Sequence, residues 1–239
     1  MKRLRILAGP NGSGKTSIYK DLRDEFNWGV FVNADIIEQS MKKDGELNLS
    51  AYSVSNVTQD YFAYAFNQSS QAQMSKCTLT NIELIDDVLL IKDSSLLDSY
   101  FSAFVASFIQ SVLIEKGISF SFETVMSHPS KLDIMHMARE SGYRVYLYYV
   151  STLSPDINVN RVRMRVEEGG HNVDEVKIRS RYIRSLDQLS DAIRLSNRAY
   201  VFDNSGKVYR WIAEYDGAEN QLKVYQDMPW LKQYVLDKI

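Results

Sequence analysis

The sequence predicts an α/β fold with a mostly parallel central sheet, an inserted segment and an antiparallel edge towards its C-terminus. Three observations predict it. Residues 4–8 are a short apolar run closed by the turn Gly9-Pro10-Asn11-Gly12, after which Ile18, Leu22 and Phe26 recur at the i, i+4 spacing of a helix face. A second β-type run at 30–33 follows, and strand, loop, helix, strand is the opening of a βαβ unit in a parallel sheet. Near the other end, Asp203-Asn204-Ser205-Gly206 is a tight-turn signal between the run at 198–202 and that at 207–215, which predicts an antiparallel pair.

The elements between follow in order. Ala34-Asp35-Ile36-Ile37 begins a second helix. Residues 42–98 break the pattern with polar stretches and the aromatic cluster Tyr61-Phe62-Ala63-Tyr64-Ala65-Phe66, and read as a cap inserted into the core fold. Core or cap packing is the stronger reading of that cluster, and stacking on a base or sugar the weaker. Within the cap, residues 79–92 fit either a hairpin or one buried element, since periodicity cannot arbitrate. The core resumes at Tyr100 with the stripe Phe101, Phe104, Val105, Phe108 and Val112, stopped by Lys116-Gly117. A strand at 118–122, a helix at 129–140 stopped by Ser141-Gly142, and an apolar strand at 143–150 come next. Ser154-Pro155 opens a further helix, Gly169-Gly170 marks a hinge, and 174–189 is basic and helical. We read 1–239 as one domain with a cap at 42–98 and a C-terminal extension at 207–239.

The composition, 45% hydrophobic and 24% charged over 239 residues, is that of an ordinary globular chain able to cover both faces of a sheet. A net charge of −2 speaks against broad nucleic-acid or membrane-surface binding. The single cysteine, Cys77, excludes an internal disulfide, and the three histidines lack zinc-site spacing. No apolar stretch is long enough to span a bilayer and the N-terminal one is too short for a signal peptide, so we expect a cytoplasmic protein.

The chemistry concentrates in Gly9-Pro10-Asn11-Gly12-Ser13-Gly14-Lys15-Thr16, a full match to G-x-x-x-x-G-K-[ST]. Glycines let the backbone curl so that successive N–H groups meet phosphate oxygens, and the following helix adds its positive end. Lys15 is expected on the β- and γ-phosphates and the Thr16 hydroxyl on magnesium. Asp35, at a strand's carboxyl end, could take the proton of an acceptor hydroxyl or merely cap its helix. Glu123, at the end of the next strand, could serve metal or substrate, or cap a turn. A rival acidic site, Asp86-Asp87 after the apolar run 82–85, is the weaker candidate, since Glu83 interrupts that run and the whole lies in the inserted segment. Arg161, Arg163, Arg165, Lys177, Arg179, Arg181 and Arg184 flank Gly169-Gly170, either as a lid over transferring phosphate or as a solvated helix face.

These motifs fall in the order of a known family. Residues 9–16, Phe31-Val32-Asn33-Ala34-Asp35, Ser119-Phe120-Ser121-Phe122-Glu123-Thr124, Ser141-Gly142-Tyr143, Arg161-Val162 with Arg165-Val166, Gly169-Gly170-His171, Arg181-Tyr182 and Asp203-Asn204-Ser205 together resemble the zeta-toxin-like P-loop kinases, over about 2–39 and 100–205. The resemblance implies a three-layer P-loop kinase-type domain using ATP and Mg2+. It implies Asp35 as catalytic base, Lys15, Arg161 and Arg165 on the transferring phosphate, and Arg181 with the loop on the nucleotide. Glu123, Thr124 and His171 would then lie on the acceptor side. The best-known members phosphorylate a UDP-linked amino sugar and are held inactive by a small antitoxin. This chain departs from them where a Gly-Thr-Gly-Arg type segment would follow the strand-end acid: it has Thr124-Val125-Met126-Ser127, without the arginine, and the second lid arginine falls near His171. The expected function is therefore a kinase acting on a hydroxyl of a small molecule. The competing readings are a nucleotide-binding regulatory module with weak ATPase activity and, disfavoured by net charge, a polynucleotide end-kinase.

Overall fold

The computed structural model describes residues 1–169 and 173–238. Gly170 and His171, expected at the hinge and on the acceptor side, lie outside the described residues. The chain divides into two compact units, one formed by Met1–Trp28 with Ser121–Ile239 and the other by Gly29–Phe120.

In chain order, the first unit opens with β1 (Arg3–Ala8) and α1 (Lys15–Leu22). The second holds β2 (Val30–Val32), α2 (Ala34–Asp44), β3 (Glu46–Asn48), α3 (Gln59–Gln68), α4 (Ser70–Met74), β4 (Ile82–Ile85), β5 (Val88–Ile91) and α5 (Ser99–Glu115). The chain re-enters the first unit along β6 (Phe120–Thr124) and continues through α6 (Ser130–Glu140), β7 (Arg144–Ser151), α7 (Pro155–Glu167), α8 (Glu175–Asp187) and α9 (Leu189–Arg194). It ends with β8 (Arg198–Asp203), β9 (Arg210–Asp216), β10 (Gln221–Val224) and the short α10 (Pro229–Leu231), which runs into a π-helical turn at Lys232–Leu236.

In the first unit the strands run β10-β9-β8-β7-β1-β6. β7 is parallel to both β1 and β8, while β9 is antiparallel to β8 and β10, so the mostly parallel sheet with an antiparallel edge is as the sequence predicts. The central strands are apolar on both faces: Leu4, Ile6, Leu7 and Ala8 of β1 and Val145, Leu147, Tyr149 and Val150 of β7 are all buried. Because β1, β7 and β8 run the same way, the loops that follow them emerge at one edge, where α/β sheets bind ligands.

The second unit is built on aromatic packing. Phe62 and Phe66, one turn apart on α3, pack against Phe101, Phe104 and Phe108 of α5 at ring separations of 5.1–6.5 Å. Phe62 and Phe66 of the cluster at 61–66 thus supply core, while Tyr61 and Tyr64 are exposed. Residues 79–92 resolve into the β4–β5 hairpin, turned by Asp86 and Asp87 at φ of 49° and 63°. The Asp87 carboxylate accepts the N–H groups of Asn56 and Val57, so the rival acidic pair is turn chemistry. The cap of α2 is Asn33, whose Oδ1 accepts from the Asp35 and Ile36 N–H groups, which overturns the reading of Asp35 as the cap. Asp35 sits in the first turn with its side chain exposed.

Candidate phosphate-binding site

Loop 9–14 joins β1 to α1 and is held by three neighbours within its own unit. The Gly9 N–H bonds the Thr124 carbonyl at the end of β6. Asn158 of α7 donates its side-chain amide to the Asn11 carbonyl, and Asn204, just beyond β8, donates to the Ser13 carbonyl at 2.8 Å. Two glycines are imposed by this packing as well as by conformation. A Cβ on Gly12 (φ 74°) would lie 2.6 Å from the Asn158 carbonyl oxygen, and one on Gly14 (φ 94°) 2.0 Å from the Asn204 amide.

Lys15 opens α1 and is only 7% exposed. Its ammonium donates to the Gly9 and Pro10 carbonyls at 2.8 and 3.1 Å and lies 3.7 Å from the Glu123 carboxylate. Nearby, Asn11 Oδ1 and Ser13 Oγ are buried without a hydrogen-bond partner among the described residues. No side chain caps α1, and Thr16 in its first turn is exposed. A lysine folded back onto its own loop, a Ser13 hydroxyl with a proton to donate and an uncapped helix start are together suited to an anion, while Asn11 Oδ1 can only accept.

The structure sorts the other expected site residues. Glu123 and Thr124 lie at the mouth of the loop, but the Thr124 hydroxyl accepts the Met126 N–H and so shapes the strand-end turn. The arginine cluster divides. Arg179 pairs with Asp156 and Glu175 at 2.7 and 2.9 Å, and Arg163 lies 3.9 Å from Glu175, so these two belong to a solvated face. Arg161 instead donates through Nη2 to the Gly206 carbonyl at 3.2 Å, with Nη1 buried and without a partner among the described residues. Arg165 is exposed one turn along α7, and Arg181 is half-buried on α8. The inner face of α8 steadies the strand-end loops: Tyr182 donates to the Thr152 carbonyl and Ser185 to that of Val125, both at 2.6 Å. Burial pushes the Tyr182 phenol up to about 12 and the fully buried Tyr149 phenol higher still, so both stay protonated hydrogen-bonding groups.

Sequence reasoning missed Asn158 and the grip of Asn204 on the loop. Asn204 carried a visible signal, since it stands in the 203–206 turn, but a turn signal does not say what its amide reaches. Also missed was a cavity of about 450 Å3 lined by Gly14, Ser17, Asp21, Arg161, Asn204 and the 206–209 turn. Among the described residues no group of three or more His, Cys, Asp or Glu side chains could hold a metal, and no helix is long and apolar enough to cross a membrane.

Comparison with known proteins bears on the fold and on the family. An uncharacterized protein of Haemophilus influenzae is 35% identical over 69 residues, which cover 29% of this chain and 49% of that protein. In two crystal structures of the AvrRxo1-ORF1:AvrRxo1-ORF2 complex, one with sulphate ions and one with ATP, a chain is 16% identical with a TM-score of 0.55. Each alignment covers 94% of this chain and 61% of that one, and at such identity the likeness bears on the fold. This chain therefore spans about half the length of the curated relative and less than two thirds of the structural ones. The family model for zeta toxin matches residues 89–226, more than half of the chain, from the hairpin of the second unit to the antiparallel edge of the first, and the chain belongs to the zeta toxin family.

Proposed function

We propose that the chain is a P-loop kinase that transfers the γ-phosphate of magnesium-ATP to a hydroxyl of a small molecule. The observation that carries the reading is the state of Lys15. Its buried ammonium is held by two carbonyls of its own loop and a nearby carboxylate, a makeshift set that phosphate oxygens can replace with stronger, charge-assisted bonds. The Ser13 hydroxyl, buried in the same curl without a partner among the described residues, can donate to a phosphate oxygen. Magnesium, which keeps several waters and phosphate oxygens as ligands, needs few protein groups, and the exposed Thr16 hydroxyl is a fitting one. When bound, the ion would neutralise charge on the transferring phosphate.

In this reading Lys15 orients the β- and γ-phosphates and Glu123 stands on the acceptor or metal side. Asp35 takes the acceptor proton, and Arg165 and Arg181 attend the phosphates, roles that rest on the family resemblance. Catalysis is then positioning and charge neutralisation. We infer the acceptor class, a nucleotide sugar of the UDP-linked amino-sugar kind, and a small antitoxin partner from the family. Replacement of the family's Gly-Thr-Gly-Arg type segment by residues 124–127 favours an acceptor gripped differently.

The test is Lys15→Ala, measured by transfer of labelled γ-phosphate to metabolite fractions and by calorimetric ATP binding. We expect transfer to fall on the order of 10²-fold or more with thermal melting retained. Unchanged turnover with normal melting would remove the loop as the catalytic site. Turnover in the parent that ignores every acceptor would favour the regulatory module instead.

A further inference from the structure

The carbonyls of the phosphate loop are held in two ways. Those of Gly9 and Pro10 accept from the Lys15 ammonium, within the loop's own curl. Those of Asn11 and Ser13 accept from neutral amides on other elements: Asn158 of α7 donates to Asn11 at 2.5 Å, and Asn204, beyond β8, to Ser13 at 2.8 Å. A trans peptide is planar, with its C=O and N–H pointing to opposite sides. Holding the Asn11 carbonyl therefore aims the Gly12 N–H away from α7, and holding the Ser13 carbonyl aims the Gly14 N–H away from the 203–206 turn. Those two N–H groups have no acceptor among the described residues.

Glycine makes such a grip necessary. Gly12 and Gly14 sit at φ of 74° and 94°, and glycine passes between positive and negative φ at little cost. An unheld peptide here would turn over and show a carbonyl where an anion needs a donor. The asparagines are themselves fixed. Asn158 is fully buried, and its Oδ1 accepts the Thr152 hydroxyl. Because the Asn11 carbonyl can only accept, the Asn158 amide nitrogen must be the atom that faces it. Asn204 stands in the turn where the Asp203 carboxylate accepts the Ser205 N–H and hydroxyl. Close packing adds to both grips: the α7 backbone at Asn158 abuts Gly12, and the Asn204 amide fills the space that a Gly14 Cβ would need.

We propose that Asn158 and Asn204 are positioning residues, which set the Gly12 and Gly14 N–H groups as donors to a polyphosphate before it arrives. The inference rests on the kinase reading of the phosphate loop and deepens it. Donors fixed in advance spare the ligand the cost of ordering them, so the pair raises affinity without contacting the phosphates.

Calorimetry on the full chain with magnesium and inorganic tripolyphosphate tests this, since a probe without a nucleoside reads the loop alone. Asn158→Leu, close in volume, and Asn204→Ala, at a half-buried turn position, are each expected to weaken binding on the order of tenfold, and the double variant more than either. Tyr149→Phe controls for stability, because it removes a buried hydrogen bond to Ser185 and none to the loop. It should lower the melting temperature and leave tripolyphosphate affinity within about twofold of the parent. A loss in Tyr149→Phe as large as in the asparagine variants would overturn the proposal, since affinity would then follow stability. Binding within about twofold of the parent in either asparagine variant would overturn it too, and Asn204→Ala decides the matter if Asn158→Leu does not fold. Parent protein that does not bind tripolyphosphate would remove the phosphate-loop reading, and the proposal with it. Binding that is lost in Lys15→Ala but kept in both asparagine variants would remove the proposal and leave that reading standing.

Discussion

Asn33 and Asp35 show how much hangs on two positions. Asp at the start of a helix is a favoured cap, and from the sequence capping and catalysis competed for Asp35. In the structure Asn33 takes the cap, accepting two N–H groups, and Asp35 stands exposed in the first turn. Asp35→Asn is therefore expected to leave helix stability and melting temperature almost unchanged. If Asp35 is the acceptor base, the same variant should bind magnesium-ATP as the parent does and lose on the order of 10²–10⁴ in transfer rate, read by initial velocities at saturating ATP. A rate within a few-fold of the parent would pass the role to Glu123, the other strand-end acid. Neither outcome could be argued from the residue's identity alone, because a carboxylate at a strand end serves both purposes.

Among elements, the C-terminal segment carries a consequence for the phosphate loop. Trp230 of α10 donates its indole N–H to the buried Asp203 carboxylate at 3.1 Å. That carboxylate also accepts the Ser205 N–H and hydroxyl, and the Asn204 between them grips the Ser13 carbonyl. Hydrogen bonds on Asp203 and on its chain neighbour Asn204 thus link α10 to the loop. Trp230→Phe keeps most of the ring volume and removes one donor from a buried carboxylate, a loss of about 1–3 kcal/mol. A lowered melting temperature together with a raised KM for ATP at unchanged kcat would follow, and unchanged ATP affinity would show that the 203–206 turn holds itself. From the sequence, this turn was legible as the start of an antiparallel pair, and β9 does pair so with β8. Its hold on the loop was not legible, since 191 residues separate Asn204 from Ser13.

For the molecule as a whole, each compact unit carries its own reporter. All three tryptophans, Trp28, Trp211 and Trp230, belong to the first unit, and the one cysteine, Cys77, to the second. Cys77 is buried, and burial, reinforced by the Asp98 and Asp93 carboxylates, pushes its thiol up to about 11. Raising a thiol pKa lowers the thiolate fraction below it, so near pH 8 the reactive form falls on the order of 10²-fold against a free thiol. Native protein should therefore resist alkylation, with labelling that rises as urea opens the second unit, while indole fluorescence follows the first. Fast labelling of native protein would contradict this burial.

Local signals and global ones divided along a physical line. The opening strand and helix, the glycine-rich loop between them, the helix stops and the antiparallel edge were determined by the sequence itself, because glycine conformation, apolar period and capping act within a few residues. The family order of motifs likewise sits in the chain. Only the tertiary structure decided which members of one arginine cluster pair with carboxylates. It also decided that Phe62 and Phe66 of the aromatic stretch are core while its tyrosines are exposed, that Asn33 displaces Asp35 as the cap, and that Asn158 and Asn204 brace the loop. Those outcomes depend on which groups meet across long stretches of chain, where burial and hydrogen-bond partners, not local propensity, set the energy.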